Sequence, residues 1–206
     1  MTKNFKKYLI LGFLFFFPIF VYVFLSTGIN NFAKLPVLTY GVNDIVDLEG
    51  NLSKVSLRDN ISIVGFWGGD IENKKSEALN LNQKIYKRFY EFQDFQFVFL
   101  YNIEESKAIE DLKLELISGV GTDLKKWNFI PTSQSSINDV FTSFKTNIEL
   151  DENFSTPYVF IVDRDLSLRG RDDDEDTGML FGFNSQSVAE INNKMVDDVK
   201  IILAEY

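Results

Sequence analysis

The residues best placed for chemistry are Asp70 and Glu72, in the stretch GFWGGDIENKK that runs from Gly65 to Lys75. An apolar run, ISIV, precedes this stretch and a helical pattern follows it. It therefore sits where a strand hands over to a helix, a usual place for ligands in α/β folds. Carboxylates there could serve acid–base chemistry or cap the helix and complement its dipole, and their position favours the cap. The chain has no Cys and no His. Thiol–disulfide exchange and a Ser/His/Asp triad are thereby excluded, because one needs a thiolate and the other an imidazole. No phosphate-cradling G-x-x-x-x-G-K-[ST] stretch occurs, and nothing sets two acids across a cleft at glycosidase spacing. A second acidic feature is RDDDEDTG, with five consecutive acids from Asp172 to Asp176. Adjacent acids in an extended chain point apart and the EF-hand spacing is not met, so a solvated charge run is the leading reading. Docking of a basic partner and calcium-like binding are its alternatives.

Trp67, Gly68 and Gly69 admit two readings. They form either a recessed surface with an aromatic wall, where glycines let another backbone approach, or a core indole with a turn behind it.

The elements that must position these residues follow from periodicity. ISIVGFW, Ile61 to Trp67, and FQFVFLYNI, Phe95 to Ile103, are near-continuous apolar runs of the kind a strand buried on both faces requires. Between them Ala78, Leu81, Ile85, Phe89 and Phe92 mark one amphipathic helix from Asn73 to Phe92. A second helix is expected over Ser106 to Ile117 with Ser106 as its cap, a third over Ser135 to Asn147, and a last one over Ser185 to Glu205. WNFI, from Trp127, is expected to be a strand fragment. PYVFIVDRDLSLRGR should hold a strand, a turn at Asp163 to Asp165 and a returning strand. The alternation in VNDIVDLEGNLSKVSL suggests a hairpin turn at Glu49-Gly50.

Lys3, Lys6 and Lys7 precede an 18-residue uncharged run from Tyr8 to Leu25. Its length suits an uncleaved signal anchor, and the lysines place residues 1–7 in the cytoplasm. Residues 26–40 then read as a tether and 41–206 as one extracytoplasmic domain. Of the 21 basic residues, 18 lie beyond residue 30 against all 30 acidic ones, leaving that part with a net charge of −12. Such a surface disfavours nucleic acid as a partner.

This order of elements resembles the thioredoxin fold. Four features taken together resemble its SenC/Sco-type branch, the membrane-anchored copper chaperones for cytochrome oxidase. They are the amino-terminal anchor, the aromatic pair Phe66 and Trp67 ending a strand, the KKWNF segment from Lys125, and FIVDRDLSLRGR with Asp163, Arg169 and Gly170. The fold class expected is therefore α/β, a thioredoxin-like, Sco-type central sheet flanked by helices, with an N-terminal transmembrane helix. The resemblance implies two Cys near Ile71 and Lys75 and a His near Ser155, all absent here. Copper(I) would be left with Met179 and Met195, so no cofactor or metal is expected. It also implies a cis-proline at Thr156-Pro157 that turns the chain sharply and presents backbone groups to an extended peptide. The expected site is thus a protein-binding face at Trp67, Gly68, Gly69, Asp70, Thr156 and Pro157, in a redox-inactive protein of the bacterial inner membrane with its domain in the periplasm. The implied partner is an oxidase subunit or a Sco-type chaperone. An envelope interaction protein unrelated to copper and a carboxylate-based enzyme or hard-metal binder are the competing classes.

Overall fold

The structure, a computed structural model, describes residues 3–26, 34–121 and 123–206. The first piece is helix α1 (Lys3–Ser26). Its window Phe5–Phe24 has a mean hydropathy of 2.1 and no buried residue, and it is the one helix among the described residues long and apolar enough to cross a membrane.

The second unit begins at Lys34. Its strands are β1 (Val37–Tyr40), β2 (Ile61–Gly68), β3 (Phe95–Asn102), β4 (Trp127–Thr132), β5 (Tyr158–Val162), β6 (Ser167–Arg169), β7 (Arg171–Asp174), β8 (Gly178–Leu180) and β9 (Phe183–Asn184). The main sheet runs β1-β6-β5-β2-β3-β4, with β9 also on β5, and β7 pairs with β8 in a separate hairpin. β2, β3 and β4 are parallel, whereas β5 joins β2 antiparallel. The tether expected over residues 26–40 thus contains β1; residues 27–33 lie outside the described residues.

Side chains alternate cleanly across the sheet. Ile61, Ile63 and Trp67 of β2 and Phe95, Phe97 and Phe99 of β3 join one core cluster, whereas Val64, Phe66, Val98 and Leu100 join the other. Gly65 makes this possible at the centre of β2. A Cβ there would lie 2.3 Å from the Phe99 ring, so the ring lies over the strand, between Trp67 at 4.1 Å and Trp127 at 5.1 Å.

Helix α2 (residues 72–89) packs on the first face. It opens with a 3-10 turn, Glu72–Lys74, and carries a π turn, Asn82–Tyr86, between α-helical segments. A π turn inserts one residue, which brings neighbours onto the same face. Both Ile85 and Tyr86 are accordingly buried. Helix α3 (Ser106–Val120) ends at Gly121 in the left-handed conformation. Its entry differs from the sequence expectation: the Asn102 side chain caps the preceding 3-10 turn, and Ser106 Oγ instead donates to the Ile103 carbonyl. Helix α4 (Gln134–Ser143) is capped by Ser133 and sends Ile137, Val140 and Phe141 into the second cluster. Helix α5 (residues 188–205) repeats the device of α2, burying both Met195 and Val196 around the π turn Ile191–Met195.

Two further differences have clear causes. WNFI is longer than a fragment, because an edge strand tolerates Pro131 and so continues to Thr132. No hairpin forms at Glu49-Gly50. Asp44 accepts from the amides of Ile45 and Leu57 and from Ser56 Oγ, and Asn51 bonds Ile45 and Val55. These polar side chains close the segment as a loop.

The domain's two ends meet at Arg169, which is buried. It pairs with Asp163 at 2.8 Å and Glu205 at 2.5 Å, and donates through Nε to the Leu35 carbonyl. Glu205 also accepts from the Leu35 amide. Burial alone would lower the Arg169 pKa, but the two carboxylates outweigh it and raise it, so the guanidinium stays charged.

Candidate functional site

The strand-to-helix junction after β2 is closed by the protein's own chain. Gly68 has φ of +53°, and a Cβ there would lie 1.9 Å from the Asn153 carbonyl oxygen. Gly69 donates its amide to that same oxygen at 2.9 Å, and Thr156 donates to the Phe66 carbonyl at 2.9 Å. Asp151 shapes the covering loop by accepting from the amides of Asn153 and Ser155, both at 2.9 Å. The predicted residues Trp67 to Asp70 and Thr156 to Pro157 are therefore brought together.

Their roles differ from the expectation. Trp67 is fully buried in the core cluster. It is the core indole of the second reading and forms no aromatic wall. Asp70 is half-buried and accepts from the Asn73 side-chain amide at 2.7 Å. The helix that follows has no side-chain cap, so neither Asp70 nor Glu72 serves as one.

The expected cis bond at Thr156-Pro157 is corrected: no peptide bond among the described residues is cis. The segment enters β5 in trans with its backbone already engaged. The Thr156 amide goes to Phe66, and the Pro157 carbonyl accepts from the Ser185 amide at 2.9 Å and Ser185 Oγ at 2.6 Å. It offers no vacant main-chain ladder at these groups.

The positions where the resemblance implies soft ligands are occupied by residues of another kind. Ile71 is core, Lys75 forms a 2.7 Å pair with Glu115, and Ser155 is buried with no hydrogen bond to its hydroxyl. Met195 is buried and Met179 exposed. This donor set fits neither thiolate redox chemistry nor a copper(I) site, which selects sulfur and imidazole.

One cluster escapes sequence reading altogether. Lys74 and Glu77 are 4% and 1% exposed and pair at 3.1 Å. Glu77 also accepts from Gln186 Nε2 at 2.9 Å and lies 3.1 Å from Ser185 Oγ. The network thus fastens α2 to the turn that holds Pro157. In sequence the pair looks like an ordinary solvent-facing i,i+3 contact.

Several openings flank this closed centre, among them one of about 610 Å³ lined by Phe141, Lys145, Ile148, Glu149, Asp151 and Phe154. A cavity of about 270 Å³ lies between α2 and α3, lined by Ile71, Glu72, Lys75, Asp111, Leu112 and Glu115. A groove of about 450 Å³ lies beside Pro157. No group of three metal-ligating side chains occurs among the described residues. The acidic run is folded too: Asp174 is buried beneath Lys194 at 2.7 Å and accepts from the amides of Asp176 and Thr177, which leaves Asp172, Asp173 and Glu175 outside.

The chain matches no family model, and no curated protein matches it. Solved structures do match. A Bacteroides thetaiotaomicron protein assigned as a protein disulfide isomerase aligns at 13% identity over 84% of this chain and 95% of its own, with a TM-score of 0.52. BsSco, a member of the Sco family of cytochrome c oxidase assembly proteins, aligns at 14% identity over 84% of this chain and 96% of its own, with a TM-score of 0.49. The soluble domain of Sco1 from Bacillus subtilis aligns at 19% identity over 81% and 94%, with a TM-score of 0.47. Identities this low establish a shared fold and nothing further. The fold is thioredoxin-like, a mixed sheet flanked by helices. This chain has no cysteine with which to perform the disulfide chemistry that the Bacteroides protein is named for.

Proposed function

We propose that this chain is a membrane-anchored, redox-inactive thioredoxin-like protein that works by binding another protein rather than by catalysis. One observation carries the reading. Where the resemblance implies ligands the chain has Ile71, Lys75 and Ser155, yet the framework around them is fully built and fastened. The contact face we assign to Gly69, Asp70 and Pro157, since these are half-buried whereas Trp67, Gly68 and Thr156 lie beneath them. α1 supports single-pass anchoring, with its lysine-bearing end in the cytoplasm and the domain in the periplasm. The sequence resemblance makes respiratory oxidase assembly the setting, with an oxidase subunit or a Sco-type chaperone as partner.

Gentle co-purification of the tagged full-length chain from membranes tests this. Gly69→Arg/Asp70→Arg is the matched variant, because Trp67→Ala would empty the core instead of altering the face. An oxidase subunit or Sco-type chaperone retained by the parent and lost by the variant is the expected result. If neither is retained by the parent, the oxidase setting is wrong.

A further inference from the structure

The groove beside Pro157 is open where the loop after β2 is shut. Pro157, Tyr158, Leu180 and Phe181 give it an apolar floor, and Met179, 47% exposed, stands at its edge. Met is a flexible, adaptable contact for an apolar partner. β8, which contributes Met179, pairs with β7 alone among the described strands, so its other edge is unpaired.

One charged side chain lines the groove, and exposed Lys145 lies near it in the neighbouring opening. Glu149 lines it, exposed and with no partner among the described residues. The β7–β8 hairpin, which lines the groove through Thr177, Met179 and Leu180, carries exposed Asp172, Asp173 and Glu175 outside that lining. The cations touching this hairpin are already engaged: Arg171 is held by Asp198 through two contacts of 2.8 Å, and Lys194 by Asp174 and Asp176 at 2.7 Å each. What lines the groove is one acid, Glu149, beside an apolar trough, on a part of the chain that carries a net charge of −12. The occupant complementary to both is an extended chain that alternates apolar with basic side chains.

We propose that this groove docks a basic, extended segment of a partner protein, its apolar side chains on the Pro157–Phe181 floor and its Lys or Arg side chains against Glu149 and the hairpin acids. The proposal rests on the binding-module reading and adds the partner's chemistry to it.

The test uses the full-length chain in nanodiscs of uncharged phosphatidylcholine and a fluorescein-labelled peptide, acetyl-KVKVKVKV-amide, followed by anisotropy. Saturable binding to the protein above that to empty discs is expected, with the EVEVEVEV counterpart silent. Glu149→Lys and Met179→Lys should each weaken binding by about tenfold, whereas Glu104→Lys, the same charge change at an exposed site outside the groove, should change it by less than about twofold. Equal loss in Glu104→Lys, equal binding of the acidic peptide, or binding to empty discs alone would overturn the proposal. The co-purification separates the two readings. A partner lost by Gly69→Arg/Asp70→Arg but kept by Glu149→Lys overturns the groove and leaves the binding module standing. Groove-dependent binding of the peptide with no oxidase component or Sco-type chaperone recovered overturns the oxidase setting and leaves the groove.

Discussion

The loop after β2 and the groove beside Pro157 meet at one short segment, yet they are physical opposites. In the loop, the backbone of Phe66, Gly69, Asn153 and Thr156 is bonded within the chain and the Trp67 indole is core. In the groove, apolar side chains and the unpaired Glu149 face outward. The difference teaches that one short segment can be closed by the chain's own backbone on one side and leave an open surface on the other. The exposed, unsatisfied chemistry lies a few residues away, at a surface suited to contact.

The sharpest way to break this contrast is to unfasten the closed side. Glu77→Gln leaves the buried Lys74 charge without its counter-ion and should destabilise the domain by about 3–5 kcal/mol. Lys74→Met/Glu77→Gln should recover most of that loss, because a buried pair is stabilising only relative to its half-removed form. Urea unfolding of the two variants beside the parent decides it; an unchanged midpoint in Glu77→Gln would mean the pair is solvated in solution. Gly68→Ala comes next. It places a Cβ against the Asn153 carbonyl at positive φ, and a loss of about 1–3 kcal/mol is expected, with the 151–156 loop displaced. Increased amide exchange confined to that loop would sharpen the contrast.

On the open side the expected effect is local and depends on acid. Burial pushes the Asp174 carboxyl up, but Lys194 and the amides of Asp176 and Thr177 outweigh it and hold the pKa below the ordinary 3.8. A depressed carboxylate stabilises the folded form above its unfolded value, and that contribution is lost as pH falls through the lower one. Asp198, raised by burial in spite of Arg171, contributes with the opposite sign. The measurement should therefore follow the hairpin amides of residues 171–180 between pH 5 and pH 2. Their protection should fall with acid in the parent and show no such step in Asp174→Asn. The smallest effect is Asp70→Ala, which removes one contact to the Asn73 side chain at a half-exposed position. A stability change within about 0.5 kcal/mol is expected, and a larger one would show that Asp70 caps the helix after all.

Much of the fold was legible in the sequence, for reasons the same contrast explains. β2 and β3 announce themselves because residues buried on both faces leave uninterrupted apolar runs, and the stripe Ala78, Leu81, Ile85 marks α2 because one face is wet. Periodicity does not register an inserted residue, so the π turns that bury Tyr86 and Val196 stayed hidden. It also cannot separate alternation in a strand from alternation in a loop, and residues 42–57 were read as a hairpin although Asp44 and Asn51 tie them by side-chain bonds. Of the candidate site, the absence of Cys and His was readable from residue types, and the strand-to-helix junction after β2 from the apolar run that precedes it. Burial of Lys74 and Glu77 was not, because an i,i+3 pair reads the same at the surface and in the interior. The engagement of the Pro157 carbonyl by Ser185, 28 residues further on, could not be foreseen either.

The Arg169 junction has a mechanical consequence. Leu35, at the start of the domain, has its amide and carbonyl bound by Glu205 and Arg169. Arg169 is in turn anchored to Asp163, so tension reaching the first strand is shared at once with the last helical turn and the β5–β6 turn. The junction acts as a rivet through both ends of the domain.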